Sequence, residues 1–166
     1  MASSTVLENV LIKYKGPFEF EVFYKEMMKW FEERGYVVIE KIYKDKAASP
    51  FGHEVEWTFE PEKEVTQYVK YEVSLFFQFW DVKEVEVEKN GEKKRITEGK
   101  AKLKILSAKV SYDWQGNFGG GWKEKAKNVM HKLLKMYFAV RYEDPLYQEM
   151  KSFQNMLKNK LGMNTV

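Results

Sequence analysis

The sequence predicts an α+β fold: a curved antiparallel sheet of five to six strands with one long hairpin, one early helix and two C-terminal helices. Three observations carry this expectation. Asn90-Gly91 separates two long segments, and a tight type I′ hairpin turn needs positive φ at both central residues, which this pair tolerates. Apolar and polar residues alternate on both sides of it, over Val69 to Val87 and over Ala101 to Trp114. Apolar residues recur at helical spacing near both ends of the chain.

The elements follow in order. Val6 to Lys15 reads as a strand with Val6, Val10, Ile12 and Tyr14 on one face, ended by Gly16-Pro17. From Phe18 to Arg34, Phe20, Phe23, Met27, Trp30 and Phe31 repeat at helical spacing, and Gly35 supplies the stop. Tyr36 to Lys44 is a second strand, followed by a loop with Ser49-Pro50 and Gly52. His53 to Glu60 alternates cleanly, with Val55, Trp57 and Phe59 against Glu54, Glu56 and Glu60, as in a half-buried strand.

Both hairpin arms break their own alternation. The first changes parity at Trp80-Asp81-Val82, and the second between Ile105 and Leu106. A slip of one residue turns every later side chain to the opposite face, so each arm needs a bulge. Val69 to Val87 would span roughly 60 Å if straight, against a domain diameter of about 40 Å. The hairpin must therefore curl around a helix, project beyond the body at its charged tip (Glu88 to Arg95), or do both.

After Trp114, the stretch QGNFGGGWK reads as a hinge into a helix from Trp122 to Arg141, whose Ala126, Val129, Met130, Leu133, Tyr137 and Val140 form a face suited to packing on a sheet. Asp144-Pro145 reads as an N-cap followed by proline at the first helical position, opening a second helix that runs to Leu161 before Gly162. Its stripe, Leu146, Met150, Phe153, Leu157 and Leu161, is narrow, like a docking seam. With no linker or repeat, residues 1–166 form a single domain in which 144–162 is a C-terminal docking helix.

Composition limits the chemistry. Apolar residues make up 44% and charged residues 32%, a globular balance, and 28 Lys/Arg against 25 Asp/Glu leave a net charge of +3, too even to imply nucleic acid by itself. There is no Cys, which removes disulfides, thiolate catalysis and cysteine zinc sites. The Lys/Glu-rich composition suits a thermophile. No signal-peptide pattern and no apolar run near the ~18 residues of a membrane helix occur, so a cytoplasmic protein, or part of an assembled particle, is expected.

Searching for catalytic and cofactor patterns yields little. His53 and His131 are far apart, and GHEVEW lacks the second histidine of a zinc-protease helix. Gly116 and Gly121 have the outer spacing of a phosphate loop, but Trp122 holds the lysine position and no Ser or Thr follows for magnesium. Gly116-Asn117-Phe118-Gly119 matches the GxxG of KH domains, which in that family joins two helices. The carboxylates Glu54, Glu56, Glu60, Glu62 and Glu64 read as a solvated sheet face, and no nucleophile elbow is present. No catalytic residue, cofactor or metal is therefore assigned.

The Lys/Glu-rich alternation, the opening KYKGPFEFEVFYKEMMKWFEERGYVV (Lys13 to Val38) and the segment Asp81 to Glu88 resemble small archaeal proteins, a resemblance that implies no particular activity. In order of elements the chain also resembles helix-grip ligand-binding domains, differing by a single early helix and an extra terminal one; that resemblance implies a helix closing over a curved sheet around a ligand.

Phe76 and Trp80 fall opposite the main apolar row of their strand, and exposed aromatics mark contacts. The expected function is a non-enzymatic structural protein that self-assembles into a ring, tube, filament or particle, viral or tail-like among them, with itself as partner. The interaction residues are Phe76 and Trp80, the hairpin tip Lys89, Asn90, Lys93, Lys94 and Arg95, and the terminal stripe Leu146, Met150, Phe153 and Leu157. The alternative is a hydrophobic-ligand-binding domain. Nucleic acid is a lesser option, resting on the tip and on Lys100, Lys102, Lys104 and Lys109.

Overall fold

A computed structural model describes residues 2–50, 52–112 and 133–163. The chain runs β1 (Ala2–Phe18), α1 (Phe20–Glu32), β2 (Val37–Ser49), β3 (Gly52–Thr66), β4 (Val69–Lys89) and β5 (Glu92–Tyr112). Residues 133–138 are α-helical and continue through a π-helical turn, Ala139–Glu143, into α2 (Asp144–Lys160). The strands form one antiparallel sheet in the order β1-β5-β4-β3-β2. β2 to β5 meander through successive hairpins, while β1 and β2 occupy opposite edges, so α1 must carry the chain across the sheet. Its 13 residues rise about 20 Å, close to the ~19 Å of four strand spacings.

Alternation places the core. Val69, Tyr71, Val73, Leu75, Phe77 and Phe79 of β4 are all buried, and so are Ala101, Leu103 and Ile105, then Ala108, Val110 and Tyr112 of β5. Between those two β5 groups the register with β4 shifts, passing from Leu75↔Ile105 to Ser74↔Ser107, and Leu106 is the extra residue. A second shift lies between Trp80↔Lys100 and Lys83↔Glu98, with Asp81 at φ 56°. Both bulges fall where the parity of the sequence changes. At the hairpin end Asn90 and Gly91 have φ 56° and 81°, between paired Lys89 and Glu92, as a type I′ turn requires.

Helix α1 buries Phe23, Met27, Trp30 and Phe31, and α2 buries Leu146, Met150, Phe153 and Leu157, each with no exposed area. Rings interlock between the layers: Phe31 and Trp30 lie 4.7 and 5.0 Å from Phe153, and Phe23 lies 6.2 Å from Phe77. The terminal stripe is therefore occupied inside its own chain. The docking helix docks on its own sheet, and these four residues present nothing to a partner.

Two further expectations are corrected. Among the described residues there is one C-terminal helical run, because Asp144-Pro145 does not interrupt it. Proline normally clashes with the carbonyl four residues back, but the Asp144 N–H donates to the Ala139 carbonyl, an i→i−5 bond that widens the turn just before Pro145. The face turned to the sheet is also different. Leu133, Tyr137 and Val140 are exposed, whereas the Phe138 ring lies tilted 5.4 Å from Tyr112. The start of the expected Trp122–Arg141 helix, the QGNFGGGWK stretch and His131 lie outside the described residues. Smaller differences extend strands: β1 passes Gly16-Pro17 to Phe18, β2 reaches Ser49, and β3 continues through Pro61, which pairs with Val38.

Three tyrosines, Tyr36 just before β2, Tyr71 on β4 and Tyr112 on β5, pin the helical run. The Tyr36 hydroxyl donates to Glu149 (2.6 Å), that of Tyr71 to the Tyr142 carbonyl (2.9 Å) and that of Tyr112 to Glu143 (3.4 Å). Burial, followed by the nearby carboxylates, holds all three phenols above the ordinary value, Tyr71 at about 12. A phenol whose pKa is raised on folding contributes stability that is complete below about pH 10 and is lost as pH rises through the folded value. Alkaline titration followed by circular dichroism is therefore expected to unfold the protein between about pH 10 and 12, with a weaker pH dependence in Tyr71→Phe. Truncating the ring at the centre of the helix layer, Phe153→Ala, is expected to cost about 3–5 kcal/mol in chemical denaturation.

Candidate functional site

Because the described helices pack on one side of the sheet, the opposite parity of every strand faces outward. The register aligns these side chains in rows across the strands. One row is Ile42, Thr58, Phe76, Lys104 and Leu11; the next is Lys44, Glu56, Gln78, Lys102 and Lys13. Leu11 and Ile42 are 44% and 45% exposed, and Phe76 and Trp80 are half-buried at the centre. No described helix or strand covers this face.

Its charges separate by strand. β3 presents Glu54, Glu56, Glu60 and Glu62, held by cations from its neighbours: Lys46 Nζ lies 3.4 and 3.2 Å from Glu54 and Glu56, Lys41 lies 3.2 Å from Glu60, and Lys70 lies 2.5 Å from Glu62. Gln78 Nε2 donates to Glu54 and Glu56 at 3.0 and 3.3 Å. That hydrogen bond, with Lys46, holds the Glu54 carboxyl below the usual range, and Glu56 and then Glu54 raise Lys46. A lowered carboxyl such as Glu54 is the reverse of the raised pKa a general acid uses.

The other half of the face is basic. Lys13 stands directly opposite Lys102, and Lys15 opposite Lys100. Lys100 reaches Asp81 at 2.6 Å; among the described residues no ion pair holds Lys13, Lys15, Lys102, Lys104 or Lys109. Like charges directly opposite on neighbouring strands are destabilising, and for Lys13 opposite Lys102 no described residue supplies a compensating ion pair.

A cleft of about 390 Å³ opens on the same face at the base of the hairpin tip, lined by Lys46, His53, Glu54, Gln78, Trp80, Asp81 and Lys102 around Gly52. Gly52 is required there: a Cβ would lie 2.7 Å from the Asp81 carbonyl carbon, so β3 begins in backbone contact with the β4 bulge. His53 Nδ1 is 3.8 Å from Asp45, and among the described residues no group of three or more His, Cys, Asp or Glu is arranged to hold a metal ion. Among them too, no helix is long and apolar enough to cross a membrane.

The hairpin tip projects. Pairing of β1 with β5 ends at Phe18↔Thr97, and that of β3 with β4 at His53↔Val82. The pairs from Val85↔Ile96 to Lys89↔Glu92 therefore form a two-stranded ribbon, about 17 Å long. Lys94 reaches back to Glu19 at the start of α1 (2.7 Å), Arg95 lies 3.6 Å from Glu86, and Lys93 pairs in register with Glu88. Lys89 and Asn90 stand at the turn.

The expected interaction residues thus occupy three separate places: Phe76 and Trp80 on the open face, the tip residues on the ribbon, and the terminal stripe inside the core. Sequence reasoning overlooked Leu11 and Ile42, whose parity opposite Ile12 and Tyr43 was the available signal. It also missed the outward turn of Leu133, Met136, Tyr137 and Val140, which are 67%, 72%, 56% and 66% exposed at i, i+3, i+4 and i+7. Comparison with protein-family models, with curated proteins and with solved structures finds no match to this chain.

Proposed function

We propose that this protein is a non-enzymatic structural subunit that self-assembles into a ring, tube, filament or particle. One observation carries the proposal: apolar side chains are left in solvent on two different layers of the molecule. The sheet layer exposes Leu11 and Ile42 beside Phe76 and Trp80, and the helix layer exposes the Leu133 to Val140 stripe. Exposed apolar patches of this kind mark protein contacts. Two distinct patches permit more than a closed pair, because each subunit can meet a different neighbour through each surface.

The sheet edges favour such faces over strand-to-strand growth. β2 carries Lys41, Lys44 and Lys46 and a register shift between Glu40 and Ile42, while β1 carries Lys13, Lys15, Pro17 and a shift between Thr5 and Leu7. Lysines, prolines and bulges are the devices that blunt exposed edges. An apolar ligand beneath the helices would have to displace Phe31, Phe77 and Phe153, which are fully buried, Phe31 and Phe153 against each other and Phe77 against Phe23 and Phe59.

Light scattering coupled to size-exclusion chromatography is expected to show species larger than the 19.8 kDa chain, growing with concentration; a strict monomer at high concentration overturns the proposal. Met136→Glu combined with Val140→Glu is expected to reduce assembly while leaving circular dichroism unchanged, since both side chains are exposed. Replacing Glu88 to Arg95 by a short Asn-Gly turn is likewise expected to preserve the fold, because the core rows lie nearer the hairpin base. Sedimentation should then show smaller assemblies if the ribbon is a connector, and unaltered assembly would assign it no such role.

A further inference from the structure

Resting on the self-assembly proposal, we infer that the open sheet face pairs with the same face of a second copy, about a two-fold axis running along β4. The charge pattern selects both the occupant and the axis. Acceptors stand on β3 to one side of β4, and unpaired lysines stand on β5 and β1 to the other, with Phe76 and Trp80 between them. Turning a second face over about an axis parallel to the strands exchanges left and right. Glu56 then faces Lys102 of the other copy, Glu60 falls one row from its Lys104, and the aromatics meet their own counterparts near the axis. An axis across the strands would set β3 on β3 and β5 on β5, like charge against like.

The second copy answers what the isolated face leaves unsettled. Lys102, opposed to Lys13 across the β1–β5 boundary, gains carboxylates from β3 of the other copy that no described residue supplies, while β1 with Leu11 comes to lie over β2 with Ile42. Those carboxylates keep lone pairs beyond the cations already bound to them. A polyanion would satisfy the lysines but lie against Glu54 and Glu56. Five strands at ~4.8 Å and about nine residues at ~3.3 Å make a face of roughly 700 Å², near the ~800 Å² per partner of a standard stable interface. Antiparallel sheets stack at ~10 Å, a gap that a lysine facing a glutamate can span.

The test makes the face single-signed in two opposite ways, in the Met136→Glu, Val140→Glu background. One variant carries Lys102→Glu and Lys104→Glu, the other Glu56→Lys and Glu60→Lys, with circular dichroism verifying each fold. Alone, each is expected to self-associate roughly tenfold or more weakly than the background. Mixed in equal amounts they are expected to form a mixed pair, and raising salt should dissociate both it and the unmutated pair. Assembly unchanged by either variant overturns the inference while leaving self-assembly intact, as does failure of the folded pair to associate on mixing. Should either variant not fold, salt decides: association of the background protein that does not weaken with added salt overturns the inference. A background protein that stays monomeric and binds a single-stranded oligonucleotide through Lys102 and Lys104 also overturns it, assigning the face to a polyanion.

Discussion

The 21-residue arms of the β4–β5 hairpin can keep one continuous apolar face only because their register shifts twice. Strand side chains alternate strictly, so an uninterrupted pairing would have turned Ala108, Val110 and Tyr112 outward once Ala101, Leu103 and Ile105 were turned in. The shift at Leu106 returns the second group to the core, and the shift at Asp81 and Val82 falls where the pairing of β3 with β4 ends. Everything else is arranged against that face. α1 crosses it from edge to edge, α2 covers it, and β1 and β3 flank it.

Closure of the helix layer combines apolar burial with directed polar contacts. Leu146, Met150, Phe153 and Leu157 supply the hydrophobic term and leave the helix free to slide along its axis, since that term is non-directional. Tyr36, Tyr71 and Tyr112 remove that freedom by bonding Glu149, the Tyr142 carbonyl and Glu143 at successive points along the run. The π turn fits the same scheme, since it carries the helix past Pro145 without a break and so keeps the segment bearing Phe138 and Tyr142 in line with the one bearing Met150.

Burying one face of the sheet so fully leaves the other to solvent. Its half-buried aromatics, unpaired lysines and clustered carboxylates are the counterpart of the one-sided core. Ion pairs within the face are mostly exposed, and exposed pairs contribute little to stability. Their arrangement by strand bears more on which surface can approach, and in what orientation, than on holding the fold together.

By itself the sequence determined an antiparallel sheet with an early and a terminal helix, the Asn90-Gly91 turn, both bulges, and the apolar stripes of α1 and α2. Each of these is written in local periodicity or in the φ demands of one or two residues. Tertiary structure alone decided three matters. Whether the stripe from Leu146 to Leu157 met a partner or its own sheet depended on α1, β1 and β5 offering a complementary surface, which no periodicity reveals. Whether Asp144-Pro145 ended a helix depended on a wider turn before it, which the docking of Phe138 and Tyr142 accommodates. The division of the open face into acidic and basic halves arises because β5 pairs with β1, which lies far from it in sequence. Only that pairing sets Lys13 beside Lys102.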